Sequence, residues 1–336
     1  MVSVFSGVVT VAVIALLIVA VGAFALLGPG PAKKDTTVIL RRGSGVAEMA
    51  ATLQRSHAIS SAALFRFAAE VSGADRHLRA GEYEVKAHAS IADVLSLIAN
   101  GKVVRHFVTL PEGRTSAQMV AALRANDVLT GEVAVPPEGS LLPDTYEVTR
   151  GDTRASVIKR MRAARDAVLA DLWAHRQQGL PFKTPEEAVT LASIVEKETG
   201  LPAERPKVAA VYINRLHKGM KLDADPTTIY GISRGEPLGR GLRQSELVAA
   251  TPYNTYVIAG LPPTPIANPG RASLQAVFNP APTQDLYFVA NGTGGSSFAP
   301  TLEEHAKNVA KWREVEKARA AAKTQAKAAA KTTPAR

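Results

Sequence analysis

Residues 184–199, TPEEAVTLASIVEKET, read as one helix around which the rest of the chain is organised. Thr184 is a good N-cap and Pro185 suits the first helical position. Glu186 and Glu187 complement the positive end of the helix dipole. Gly200 and Pro202 stop the helix. At about 100° per residue, Leu191, Ile194 and Val195 make an apolar face, and Glu198 projects into the middle of it. Glu196 points away, roughly 200° from Glu198. A carboxyl group on a buried helix face is costly unless it is protonated or paired. Desolvation raises its pKa, and a raised pKa suits a general acid near neutrality. The competing reading is a structural glutamate paired with an arginine, since ion-pair networks also perturb such groups.

Outward from this helix, 336 residues are enough for two modest domains with cores of their own. The chain has no cysteine, which excludes a disulfide framework, a Cys-ligated zinc and a thiol nucleophile. The net charge of +10 is unevenly spread. Residues 317–336 hold six Lys or Arg and no acid in an Ala-rich run, which reads as a frayed helix or disordered arm. No zinc-finger spacing or aromatic-basic motif accompanies it, so nucleic acid is not an expected partner.

At the other end, residues 1–32 carry no charged side chain and Val2 to Leu27 are nearly all apolar. That stretch is long enough for a bilayer span, which takes about 20 residues. It is too long, and lacks the basic n-region, for a cleaved signal peptide. The reading is a single transmembrane anchor over residues 1–32. Lys33, Lys34, Arg41 and Arg42 follow it, and the positive-inside rule alone would keep the main domain in the cytoplasm.

After a linker (GPGPAKKD, 28–35) comes a small α+β module, residues 36–110. Its strands are expected at Thr37 to Leu40, Glu82 to Val85 and Val103 to Leu110, with helices between, two of them capped by Ser60 or Ser61 and by Ser90. Such a module suits binding better than catalysis. The larger domain, residues 111–313, holds the loop PPEGSLLPDTY (136–146), a long helix after Thr153, the central helix and a helix from Glu204 to Lys218. Three polar stretches follow, expected as loops: DADPTTIYG (223–231), YNTY (253–256) and GLPPTPIANPG (260–270). DLYFVAN (285–291) is an expected strand, GTGGSS (292–297) a turn, and a helix from about Leu302 closes the domain. Residues 314–336 are the basic tail. The fold class is therefore α+β, with an N-terminal transmembrane helix, a small module and a larger catalytic domain.

There is no HExxH, the seven histidines are scattered, and G-x-S-x-G and Walker A motifs are missing. No metal and no cofactor are expected, and carboxylate chemistry is left. Loops rich in Tyr, Asn, Thr and Asp match sugar hydroxyls, and tyrosine rings can lie against sugar faces. The same residues also have ordinary reasons to sit in turns.

ASIVEKET (192–199), VYINRL (211–216), DPTTIYG (225–231), YNTY (253–256), GLPP (260–263) and LYFVA (286–290) together resemble, in order and spacing, the MltG-type or YceG-like endolytic murein transglycosylases. The resemblance spans about residues 36–313. It implies a LysM-like module over 36–110 and a catalytic domain on the outer, periplasmic face of the inner membrane, which overrides the charge argument for orientation. It puts the catalytic glutamate on Glu198, the residue the helical wheel singles out. It implies peptidoglycan glycan strands as substrate, cleavage between N-acetylmuramic acid and N-acetylglucosamine with 1,6-anhydro ends, and cell-wall synthases as partners. The substrate-binding candidates are Tyr253, Asn254, Tyr256, Asp225 and Thr227, then Asp144 and Tyr146. A hydrolase using Asp225 or Glu196 as second carboxylate and a non-enzymatic wall-binding protein are the alternatives.

Overall fold

The structure is a computed structural model that describes residues 2–332, with side chains described at Thr10 and over residues 12–322. The fold is α+β, dominated by helices, with three two-stranded sheets among the described residues. The chain divides into two units. The first takes in residues 1–108 together with 126–132 and 147–154, and the second holds 109–125, 133–146 and 155–336.

In the first unit, β1 (Thr36–Leu40) pairs antiparallel with β2 (Gly81–Val85), placing Val38 opposite Tyr83. Val38 and Leu40 point inward and Ile39 outward, the alternation a half-buried strand requires. Against this sheet pack α2 (Val46–Arg55), α3 (Ala62–Val71) and α4 (Ile91–Ala99), burying Leu53, Phe65, Val94 and Ile98. Ser61 caps α3 by accepting from the Leu64 amide. Ser90 and Asp93 form a reciprocal capping box at α4, which satisfies two otherwise orphaned amides. Glu82, nearly buried on β2, is held by the Arg150 Nε at 2.8 Å and by the His106 Nε2 at 2.8 Å. Both partners come from far along the chain, and the Arg150 pairing helps explain why residues 147–154 belong to this unit.

The transmembrane anchor expected over residues 1–32 is corrected here. Among the described residues no helix is long and apolar enough to cross a membrane. The apolar residues do form a helix, α1 (Val2–Leu27). The last turns, including Ile18, Gly22 and Leu26, share an apolar groove with α3 and α4, and Leu26 packs on the unit's core. The side chains of residues 1–9 and 11, on which the expectation also rested, lie outside the described residues.

Next along the chain come β3 (His106–Thr109), α5 (Ser116–Ala125), β4 (Thr145–Val148), which pairs with β3, and α6 (Arg154–Ala174). The core of the second unit is built on α7 (Pro185–Glu198), the stretch quoted at the outset. Thr184 caps it by accepting from the Glu187 amide at 3.3 Å. Leu191, Ala192, Ile194 and Val195 are fully buried against α8 (Arg205–His217) and α11 (Arg271–Phe278). Ser193 sits in this core without an orphaned hydroxyl, since it donates to the Thr190 carbonyl and accepts from the Ile266 amide.

The stretch 223–231, expected as a loop, instead contains α9 (Asp225–Ser233). Asp225 and Pro226 are turn formers, but they are equally the residues favoured in the first turn of a helix, and here the burial of Thr227 and Thr228 decides between the two. A short helix, α10 (Gln244–Leu247), follows. Then β5 (Tyr287–Ala290) and β6 (Ser296–Ala299) form a hairpin across the glycine-rich turn. The chain continues as one helix, α12 (Leu302–Thr332), and residues 333–336 of the basic tail lie outside the described residues.

Candidate active site

Glu198 is the last residue of α7; Thr199 leaves the helix with extended backbone. Its Oε1 accepts from the Tyr212 hydroxyl at 2.8 Å. Tyr212 comes from α8 and is 2% exposed, its ring set edge-on to Phe288 of β5. One turn further along α8, Arg215 donates to the carbonyls of Leu286 (2.7 Å) and Leu222 (2.9 Å) and to the Asp223 carboxylate (3.1 Å). Asp223 itself adopts a left-handed backbone, φ 50°, which turns the chain sharply into α9. Asp225, at the start of α9, accepts from the Tyr256 hydroxyl at 2.7 Å.

These groups border one cavity of about 390 Å³. Tyr287, Phe288, Leu302 and His305 complete its lining. His305 lies flat against Tyr287, with ring centres 5.1 Å apart, and its Nδ1 is buried without a hydrogen-bond partner among the described residues. Burial, and secondarily the Arg215 charge, holds this imidazole below its ordinary pKa. Among the described residues no group of three or more His, Cys, Asp or Glu is placed to hold a metal ion.

Glu198 keeps part of its surface open to the cavity, yet protein surrounds its carboxyl closely. Desolvation is the largest effect and raises its pKa to about 7. The Tyr212 hydrogen bond works the other way, the Asp225 charge adds to the rise, and Arg215 moderates it. A carboxyl that is half protonated near neutrality can both donate and accept a proton at one position.

A model of the YceG-like family matches residues 38–311. The chain belongs to the YceG-like family. It is 30% identical over 314 residues to the endolytic murein transglycosylase of Bacillus subtilis (strain 168), covering 82% of this chain and 86% of that one. It is also 30% identical over 328 residues to the endolytic murein transglycosylase of Streptococcus pneumoniae serotype 2 (strain D39), where it spans 83% of this chain and 58% of the relative. A solved structure of a YceG-like protein from Listeria monocytogenes matches with a TM-score of 0.52 at 30% identity, covering 82% of this chain and 99% of that one.

Within this YceG-like chain, the structure brings Glu198, Asp225 and Tyr256 to the same cavity. It places the other sugar-binding candidates elsewhere, each with a partner. Asn254 is fully buried: its Nδ2 reaches the carbonyls of Glu246, Leu247 and Ala249, and its Oδ1 accepts from Thr228 and from the Tyr256 amide. It thus fixes the backbone that carries Tyr256. Thr227 is buried against Ala224 and Thr255. The Tyr253 hydroxyl meets Thr264, and its ring packs on Tyr230. Tyr146 donates to the Leu142 carbonyl, and Asp144 caps the Thr145 amide on an exposed turn.

Glu196 faces away from the cavity of this YceG-like chain. Its side chain is 5% exposed, lies 3.4 Å from Arg205 and accepts from the Gly270 amide at 2.9 Å. The residues that sequence reasoning missed are Tyr212, Arg215 and His305. Tyr212 and Arg215 lie three residues apart on α8, so one face of that helix presents both to the cavity.

Proposed function

We propose that this chain is an endolytic peptidoglycan lytic transglycosylase that cuts glycan strands between N-acetylmuramic acid and N-acetylglucosamine and leaves 1,6-anhydro-muramyl ends. The observation that carries this reading is the single cavity glutamate poised near pH 7 and hydrogen-bonded to a buried tyrosine. Protonated Glu198 gives its proton to the glycosidic oxygen as the bond to C1 breaks. The resulting carboxylate takes the proton of the muramyl C6 hydroxyl, whose oxygen closes on C1. No water is consumed, and the carboxyl ends as it began. One group serves as acid and then base, so the paired carboxylates of ordinary glycosidases are not required. The Asp225 carboxylate, in the same cavity, is suited to offset positive charge that develops at the sugar ring.

The family resemblance supports a catalytic unit working on the outer side of the cytoplasmic membrane, where peptidoglycan lies, with the small module holding glycan and cell-wall synthases as partners. The consequence would be termination of nascent strands. A reporter fused to the C-terminus and active only outside the cytoplasm tests the location.

Mass spectrometry of products from purified peptidoglycan tests the chemistry. Anhydro closure adds no water, whereas hydrolysis through Asp225 as second carboxylate adds one. Anhydro ends from the wild-type chain and none from Glu198→Gln are expected; normal turnover by Glu198→Gln would remove the reading.

A further inference from the structure

Glu198 borders a second cavity, about 280 Å³, together with Thr199, Glu204, the glycines of the β5–β6 turn, Trp312 and Arg319. From sequence, residues beyond 313 read as a tail outside the catalytic domain. In the structure α12 runs on without a break, lining the first cavity with Leu302 and His305 and the second with Trp312 and Arg319.

This wall is firmly seated. Gly292 has φ +85°, and a Cβ there would meet the Val315 Cγ1 at 2.8 Å, so only glycine lets α12 approach the turn. Arg319 donates to the Gly292 carbonyl, and its guanidinium carbon lies 5.8 Å from the centre of the Trp312 ring. Asn291 staples the turn by accepting from the Thr293 and Gly295 amides. Glu204, the acid beside Glu198 in this cavity, is engaged by the Ser296 amide, the Ser296 hydroxyl and the Thr199 hydroxyl.

The cation is different. A guanidinium carries five N–H donors in a planar fork that matches a carboxylate. Arg319 gives one to Gly292, and among the described residues no carboxylate pairs with it. Arg319 is exposed, so its remaining donors are open to a ligand, and beside the Trp312 ring they suit one with a carboxylate attached to a bulky, partly apolar body. On the transglycosylase reading, the muramyl residues of the substrate carry such a group through their lactyl ether.

We propose that this second cavity binds the anionic lactyl or peptide substituent of a muramyl residue, with Arg319 holding the carboxylate and Trp312 packing against the body that bears it. The site rests on that reading but is tested apart from it. The full chain is titrated with a soluble N-acetylmuramyl peptide that ends in a free carboxylate, and with its carboxamide, following tryptophan fluorescence. The acid should quench saturably and bind about tenfold more tightly than the amide, the difference a charge-assisted fork supplies. Arg319→Ala should bind both alike, Arg319→Lys should keep part of the preference, and Trp312→Phe should lose the signal change. Equal affinity for acid and amide in the wild type, or an unchanged preference in Arg319→Ala with an unchanged melting curve, overturns the proposal. A chain that prefers the acid yet releases no anhydro ends from glycan leaves the site standing and removes the transglycosylase reading instead.

Discussion

Two carboxylates, one in each unit, are sunk into protein and end up on opposite sides of the ordinary glutamate pKa. Desolvation is the largest single influence on both Glu82 and Glu198, and it pushes both upward. Glu82 is nonetheless lowered, because Arg150 and His106 both bond to its Oε2. Glu198 rises to about 7 because its direct partner is a neutral phenol, with the Asp225 charge adding to the rise. Burial alone therefore does not make an acid catalyst. The charge of the nearest partner decides whether a sunken carboxyl locks a fold or holds a proton.

The largest test of this contrast is chemical. Glu198→Gln should lower the rate of anhydro-end formation by about 10²–10⁴-fold or more, the range that general acid–base groups supply. In the wild type, kcat/KM should fall as pH rises through about 7, as the free enzyme loses the proton it must donate. A profile flat from pH 6 to 9 would break the assignment.

Stability gives the next largest effects, with opposite signs at the two sites. Glu82→Gln should cost about 2 kcal/mol at neutral pH, because it weakens two charge-assisted hydrogen bonds. Its folded pKa is depressed, so the wild-type contribution is present above the unfolded value of 4.5 and is lost as pH falls through the folded value. At Glu198 the folded form binds the proton more tightly than the unfolded chain does. Ionisation therefore costs stability progressively between pH 4.5 and about 7, and fully above that. Glu198→Gln should melt higher than wild type at pH 8 and no higher at pH 4, by calorimetry. The reverse order would show that Glu198 is a structural anion like Glu82.

The smallest effect sharpens the comparison. Tyr212→Phe removes the hydrogen bond that favours the ionised form, so the alkaline limb of kcat/KM should move upward. The shift should be on the order of one pH unit, the about 1.4 kcal/mol such a bond contributes. An unmoved limb would mean that the phenol only packs.

Sequence reached these sites unequally. Glu198 was visible because helical periodicity alone places a carboxyl on the apolar face of α7. Its phenol partner was not, since a tyrosine on an apolar stripe reads as core, and its hydroxyl meets Glu198 only once α7 and α8 pack. Asp225 and Tyr256 were recognisable as polar groups from two stretches, but that they touch each other is tertiary information. Asn254 and Thr227 carry the same chemistry and spend it inside the protein, a distinction that only burial draws. The α+β class could be read from alternating short strands and capped helices. The expected anchor rested on the length and lack of charge of one apolar run, which do not record that the last turns of α1 share a groove with α3 and α4.

Arg215 binds the carbonyls of Lys221, Leu222 and Leu286 as well as Asp223, so one side chain fastens α8, the irregular link to α9 and the approach to β5. Segments some 70 positions apart in the chain are thereby anchored to a common point. The two sides of the cleft cannot relax independently of each other. A sugar entering it meets a surface whose ordering entropy was spent during folding, leaving more of the contact energy for holding the ring in its reactive shape.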